Sequence, residues 1–176
     1  MSEKVENDAV TKAKPNKTGV YAVLAVVCGI CVFGFGYYLV YLEDLNWYDR
    51  LIKPVFMPPI RVLGYAWLGM CVLYITSALF VILKPAQPAS QTGKQKSQAL
   101  WSIAANALLS LVWIYIFFIR HMPGSALFEL VLVWVSCYVM LLSVYVCNKW
   151  SAWLQIPNLI WLTFMAILNY FLVMLN

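Results

Sequence analysis

Five long apolar segments constrain the fold of this chain more than any other feature of its sequence. They cover residues 19–42, 60–83, 99–119, 126–147 and 153–175, and each is long enough to cross a bilayer core of roughly 30 Å as a helix. Of the 176 residues, 64% are hydrophobic and 11% are charged, whereas soluble domains carry about a quarter charged residues. We therefore expect an integral membrane protein with no room for a soluble catalytic domain.

The apolar segments are continuous rather than alternating. A barrel strand alternates outward-facing apolar and inward-facing polar residues over about ten positions, and these segments do not follow that pattern. In lipid, the α-helix is then the structure that satisfies every backbone N–H and C=O group. The sequence predicts an all-α membrane protein, a five-transmembrane-helix bundle over residues 19–176.

The segments outside these spans differ in composition. Residues 1–18 are polar and mixed in charge, which predicts a disordered tail. The first loop, residues 43–59, is aromatic and charged, and its three prolines give it a stiff path. The second loop, residues 84–98, is small and polar and is predicted to be a flexible tether. The links at 120–125 and 148–152 are short, so the helices that they join should be antiparallel.

The distribution of basic residues predicts the orientation of the bundle. Eight of the twelve Lys and Arg residues lie in the tail, the second loop and the fourth loop. The positive-inside rule places these segments, and the N-terminus, on the inner side of the membrane. The sequence leaves open whether that membrane belongs to a bacterial envelope or is the outer mitochondrial membrane.

Polar residues within the spans recur at helical spacing. Such residues are costly in lipid unless they find partners, so they indicate the faces that meet other helices. The resulting stripes are Ser102, Asn106 and Ser110 in the third span, Glu129, Ser136 and Ser143 in the fourth, and Asn158, Trp161, Met165 and Asn169 in the fifth. Contact between helices explains the serines and Asn106 without any ligand.

Glu129 is the only carboxyl group within a span. It lies about one turn from the end of the fourth span, where a carboxylate can reach the headgroups or cap the helix. The alternative is a specific partner, such as Arg61 or a ligand group. The sequence leaves the role of Glu129 open.

Four tryptophans, Trp67, Trp113, Trp134 and Trp161, lie further into the spans than an interfacial aromatic belt requires. Pro157 removes a backbone donor early in the fifth span and should open a gap there. A gap lined by indole rings suits a flat, apolar ligand, although bulky packing is the alternative. Trp67 and Trp161 are expected in the halves of their helices nearer the first loop, facing one cavity.

The first loop and the second span carry a distinctive pattern. Residues 47–59 read W-Y-x-x-L-x-K-P-x-x-x-P-P and are followed by Gly64 and Trp67. Later spans add Leu109, Trp113, Phe117, Phe118, Ala126, Leu127, Ala152, Trp153, Leu154, Pro157, Trp161, Phe164, Leu168, Asn169 and Asn176. On these residues, nearly the whole chain after the tail resembles the translocator protein family, also called TspO/MBR or tryptophan-rich sensory proteins.

The resemblance implies a five-helix bundle, often dimeric, whose pocket is closed by the first loop and binds porphyrins such as protoporphyrin IX. Leu63, Trp67, Trp113 and Trp161 align with pocket positions of the family. To these we add Asn158 and Met165, which stand where the family usually has tyrosine and alanine. The expected lid and mouth are Trp47, Lys53, Pro54, Pro58, Pro59 and Arg61. Some bacterial members are reported to degrade the porphyrin in light, with tryptophans that correspond to Trp67 and Trp161.

The resemblance is weaker for sterol. No basic residue follows Tyr170, so the cholesterol motif proposed for the family is incomplete, which argues against sterol binding there. Ser110 also stands where the family usually has asparagine.

Three classes of function remain, in the order binding or sensing protein, transporter and photo-oxidative enzyme. The sequence has no triad, metal or nucleotide motif, and its one histidine, His121, cannot form a two-histidine haem site. We expect no bound cofactor, no metal and no nucleic-acid partner. The expected partners are a tetrapyrrole ligand, membrane lipid and a second copy of the chain.

Overall fold

The structure is a computed structural model that describes residues 17–42, 46–84 and 91–176. The predicted disordered tail lies outside the described residues up to position 16, as do residues 43–45 of the first loop and 85–90 of the second.

Helices account for nearly all of the described residues. They are α1 (Lys17–Leu42), α2 (Asn46–Arg50), α3 (Ile60–Leu83), α4 (Gln91–Ile114), α5 (Pro123–Cys147), α6 (Lys149–Trp153) and α7 (Ile156–Leu175). A π-helical turn, Tyr115–Ile119, continues α4. Within this part of the chain, five stretches are long and apolar enough to cross a membrane: Thr18–Tyr41, Ile60–Leu83, Gly93–Ile119, Pro123–Cys147 and Lys149–Leu175. The predicted fold class is therefore confirmed.

The third span begins earlier than predicted, because α4 starts at Gln91 rather than at residue 99. Residues 91–98, predicted as part of a tether, are helical. Lysine and glutamine are good helix formers, and this stretch contains no proline. Lys96 Nζ donates to the carbonyl oxygens of Ile82 and Lys84 at the end of α3. The polar extension of α4 therefore satisfies carbonyl groups that the end of α3 leaves without helical partners.

The fifth span is interrupted where Pro157 predicts a disturbance. α6 begins after Asn148, whose side-chain oxygen accepts from the backbone N–H of Trp150 at 3.0 Å. The chain turns at residues 154–155, and α7 starts at Ile156 with Pro157 in its first turn. Proline is tolerated there because the first N–H groups of a helix have no partner within it. Gln155 is fully buried at the break and donates to the Leu73 carbonyl oxygen at 3.1 Å.

α5 packs most extensively against α4 and α7, while α1 packs against α3. A central hydrogen-bonded network crosses the bundle. Asn106 of α4 donates to the Val133 carbonyl oxygen of α5 at 2.9 Å and to Ser136 Oγ, and it accepts from the Tyr74 hydroxyl of α3. Asn158 of α7 donates to the same hydroxyl oxygen at 2.8 Å. Four spans are therefore joined through Asn106 and Tyr74.

Candidate functional site

A cavity of about 330 Å³ lies among α1, α3, α4, α5 and α7. Its volume is at the lower end of the range of about 300–1,000 Å³ that is usual for small-ligand pockets. Nine aromatic side chains contribute to its wall: Phe33, Tyr37, Tyr41, Tyr65, Trp67, Tyr74, Trp113, Phe118 and Trp161. Tyr37, Tyr41 and Tyr65 are exposed at its edge, so the mouth opens on the outer surface between α1 and α3.

The structure brings together all six residues predicted to bind the ligand. Leu63 and Trp67 come from α3, Trp113 comes from α4, and α7 contributes the rest: Asn158, Trp161 and Met165. Arg61 lines the same cavity at the first-loop end of α3 and is exposed. The cavity wall therefore combines flat apolar surfaces with one cation at its rim.

Trp161 lies deeper than predicted. It is in the first third of α7, and α7 ends beside the first loop, so the expectation that Trp161 occupies the nearer half is wrong. The reason is that the fifth span runs toward the first loop, so its early residues lie in the half of the bundle that is farther from that loop. Trp161 still lines the same cavity as Trp67, because the cavity extends from Arg61 down to Asn158.

The position of Trp67 is set by α1. Its indole N–H donates to the Phe33 carbonyl oxygen at 2.9 Å, and its ring lies 4.9 Å from the Phe33 ring. Gly36 makes this approach possible, since a Cβ atom there would lie 2.8 Å from Cζ2 of Trp67 and 2.9 Å from Cδ2 of Leu111. Real Cβ contacts are not that short, so a side chain at position 36 must displace the indole.

We expect Gly36→Ala to destabilise the protein by about 1–3 kcal/mol, the usual cost of overpacking, and to weaken binding in the cavity. Gly34→Ala is the matched control, because a Cβ atom at position 34 of the same helix meets nothing within 4 Å. Thermal unfolding in detergent compares the two variants. Equal melting temperatures would show that Trp67 is not held against Gly36.

The inner end of the cavity is polar. Tyr74, Ser110 and Asn158 line it, and all three are buried. Ser110 donates to the Asn106 carbonyl oxygen at 2.9 Å, and Asn158 also donates to Gln155 Oε1 at 3.4 Å. These bonds belong to the central network, so the inner end is held in place by the packing of the bundle itself.

The first loop packs mainly on the end of the third span. Trp47 stacks on His121 with ring centroids 4.4 Å apart, and its edge meets Phe117 of the π-helical turn at 5.6 Å. Tyr48 is buried beside Phe118, at 5.9 Å between ring centroids. Burial, with a smaller contribution from the Asp49 carboxylate, raises the pKa of Tyr48 to about 12, so this phenol keeps its proton to a higher pH than an ordinary tyrosine.

Most of the predicted lid residues do not face the cavity. Lys53 lies over the Tyr48 ring at 4.4 Å and pairs with Asp49 at 3.6 Å. Neither Lys53 nor Trp47 lines the cavity, and the same holds for Pro54, Pro58 and Pro59, so Arg61 is the one member of the predicted lid and mouth that does. The ammonium group of Lys53 therefore contacts Tyr48 and Asp49 of the first loop rather than the cavity.

The later part of the first loop is held by hydrogen bonds to Asn176, a residue whose role the sequence patterns did not indicate. Asn176 accepts from the Ile52 backbone N–H at 2.9 Å and donates to the Ile52 carbonyl oxygen at 3.1 Å. Phe56 meets the edge of Phe171 at 5.4 Å. The loop therefore bridges the ends of α4 and α7.

Two predicted inward-facing residues lie away from the cavity. Trp134 donates to Thr163 Oγ1 at 2.8 Å and lines an open groove on the outer side of α5 and α7, so the expectation that it joins the other tryptophans is wrong. Glu129 is buried, and its carboxylate and the Arg61 guanidinium, both in the described part of the chain, form no ion pair.

Comparison with known proteins identifies the family. A sequence model of the TspO/MBR family matches residues 21–175. The chain belongs to the TspO/MBR family. The tryptophan-rich sensory protein of Cereibacter sphaeroides is 29% identical, over 77% of this chain and 80% of its own length. Protein CrtK of Rhodobacter capsulatus is 31% identical, over 74% and 78%.

The human translocator protein is 30% identical to this TspO/MBR protein over 73% of each chain. The relatives therefore include bacterial and animal proteins, and the family model covers the spans that form the cavity. Together with the five membrane-spanning stretches, family membership makes the chain an integral, multi-pass membrane protein.

Proposed function

We propose that this TspO/MBR protein binds a tetrapyrrole of the protoporphyrin IX type in the cavity between its helices. The observation that carries the proposal is that three tryptophans from three different spans, Trp67, Trp113 and Trp161, line one cavity with Arg61 at its mouth. Such a site supports a binding or sensing role.

The chemistry of the wall suits this ligand class. Offset or edge-on contact between a porphyrin and an indole ring is worth about 0.5–1.5 kcal/mol beyond the area buried. A guanidinium group binds carboxylates in charge-assisted pairs, and Arg61 is placed to meet a propionate at the membrane edge. Tyr37 and Tyr65 at the mouth offer further aromatic surface to the macrocycle.

A fluorescence titration with protoporphyrin IX tests the proposal. Saturable quenching of the protein's tryptophans is expected, because several indoles lie around the cavity. The dimethyl ester of the same porphyrin lacks both carboxylates and should bind more weakly, and Arg61→Gln should remove most of that difference. Quenching that rises in proportion to added porphyrin, without saturation, would refute the proposal.

Met165 is buried and lines the cavity wall about one helical turn from Trp161. Its side chain therefore occupies space that a ligand stacked on Trp161 would use. Met165→Ala removes its thioether tail, and we expect bulky flat ligands to bind about fivefold more tightly, or by about 1 kcal/mol. Met140→Ala is the matched control, because Met140 is fully buried but lies outside the cavity. Isothermal titration with protoporphyrin IX measures both. Weaker binding by Met165→Ala would mean that the side chain supports the ligand rather than restricting it.

A further inference from the structure

Three buried side-chain atoms in the described part of the chain have no hydrogen-bond partner: Tyr48 Oη, Trp113 Nε1 and Glu129 Oε1. Two of them are complementary, since an indole N–H can only donate and a carboxyl oxygen can accept. Buried polar groups in proteins are nearly always paired, and within lipid there is no bulk water to replace a partner. The donor of Trp113 and the acceptor of Glu129 therefore require an explanation.

The register of α4 against α5 places these two residues at the same level. Asn106 of α4 donates to Ser136 Oγ of α5, which fixes the alignment of the two antiparallel helices. Trp113 is two turns beyond Asn106, and Glu129 is two turns before Ser136. Two turns return each helix to nearly the same face, about 10 Å further along its axis. Trp113 and Glu129 consequently face each other between α4 and α5.

We propose that Glu129 accepts a hydrogen bond from the indole N–H of Trp113 and thereby positions that ring in the cavity wall. Trp113 lines the cavity and stacks on Phe117, at 5.3 Å between ring centroids and an interplanar angle of 21°. The Glu129 side chain has three torsions, through which a carboxyl oxygen can turn toward the indole. The bond satisfies both atoms and stops the ring from turning. Glu129 is a positioning residue, since it lies outside the cavity lining.

The hydrogen bond is testable without any ligand. Protein carrying ¹⁵N in its eight tryptophans gives one indole cross-peak for each in an NMR spectrum in detergent micelles, and the peak missing from Trp113→Phe belongs to Trp113. We expect Glu129→Met, which keeps the side chain's length but removes the acceptor, to shift this peak upfield. Glu129→Gln retains an acceptor oxygen and should leave the peak near its wild-type position. Glu129→Leu provides a second variant if Glu129→Met does not fold.

Tyr48→Phe is the decisive control, because Tyr48 Oη is the third unpaired atom and its ring lies near Phe118, which also contacts Trp113. A Trp113 peak that moves in Tyr48→Phe but not in Glu129→Met would overturn the proposal and assign the bond to the phenol. A peak that moves in neither variant would overturn it as well.

The consequence for affinity rests on the proposed function. We expect Glu129→Met to weaken protoporphyrin IX binding roughly fivefold, the net effect of one hydrogen bond, and Glu129→Gln to stay within about twofold of the wild type. If the wild-type protein did not bind protoporphyrin IX, the proposed function would fail while the NMR result still decided the pairing. If Glu129→Met moved the indole peak but left affinity unchanged, the positioning role would be refuted.

Discussion

Replacing Trp67 and Trp161 together by alanine is expected to weaken protoporphyrin IX binding about a hundredfold. Both indoles line the cavity, from α3 and from α7, so the double variant removes two flat surfaces that enclose the ligand. Each substitution removes about 0.5–1.5 kcal/mol of ring contact with the ligand, in addition to the apolar area buried against it. The two losses together reach about 3 kcal/mol of binding free energy, or roughly a hundredfold in Kd. The porphyrin's own absorption band measures the binding, since the variant lacks two of the protein's fluorophores.

Trp134→Ala controls for the loss of a tryptophan as such. Trp134 lies as far into its span but bonds to Thr163 on the outer side of α5 and α7, away from the cavity. Its removal should leave the affinity for protoporphyrin IX near the wild-type value. Wild-type affinity in the Trp67, Trp161 double variant would place the ligand elsewhere and refute the site.

The contrast between Trp134 and Trp161 shows what the sequence can predict about this site. Depth within a span follows from counting residues, and both indoles are interior by that measure. The direction of a side chain around the helix axis depends on which neighbour packs there. For Trp67, Trp113 and Trp161 the family resemblance supplied that direction, whereas nothing in the sequence distinguished the outward-facing Trp134.

The five spans were predictable because continuous apolar length is the physical requirement for crossing a bilayer. The ends of the helices were less predictable, since hydropathy detects only the part of a helix that lies in lipid. Residues 91–98 are polar, yet they continue α4 because five of them are lysine or glutamine, which favour helix, and because Lys96 bonds to the end of α3. Helix propensity and a tertiary contact, rather than hydropathy, set that boundary.

α1 illustrates a second limit. Its sequence is apolar on every side, so no periodicity indicates which face meets α3. Phe33 is nevertheless almost fully buried and lines the cavity, and Gly36 admits the Trp67 ring. A glycine inside an apolar span is the one available signal of such a close approach, and small residues at helix contacts in membranes have the same meaning.

The central network makes a separate prediction, that Asn106→Leu destabilises the protein by about 2–3 kcal/mol. Asn106 is fully buried, and its amide joins Tyr74 of α3 to Val133 and Ser136 of α5. Hydrogen bonds between helices in membranes average about 0.6 kcal/mol, with values up to about 1.7 kcal/mol. Three such bonds are lost together, and the Tyr74 hydroxyl remains buried with fewer partners, which adds to the cost.

Ser143→Ala is the matched control, because Ser143 belongs to the same predicted polar stripe as Ser136 but bonds only within its own helix, to the Val139 carbonyl oxygen at 2.9 Å. Its effect on stability should stay below about 0.5 kcal/mol. Unfolding in mixed micelles with increasing sodium dodecyl sulfate measures both variants. Since Tyr74 and Asn158 also form the inner end of the cavity, Asn106→Leu should weaken porphyrin binding as well. Equal stabilities of the two variants would show that apolar packing, rather than this network, holds α3, α4 and α5 together.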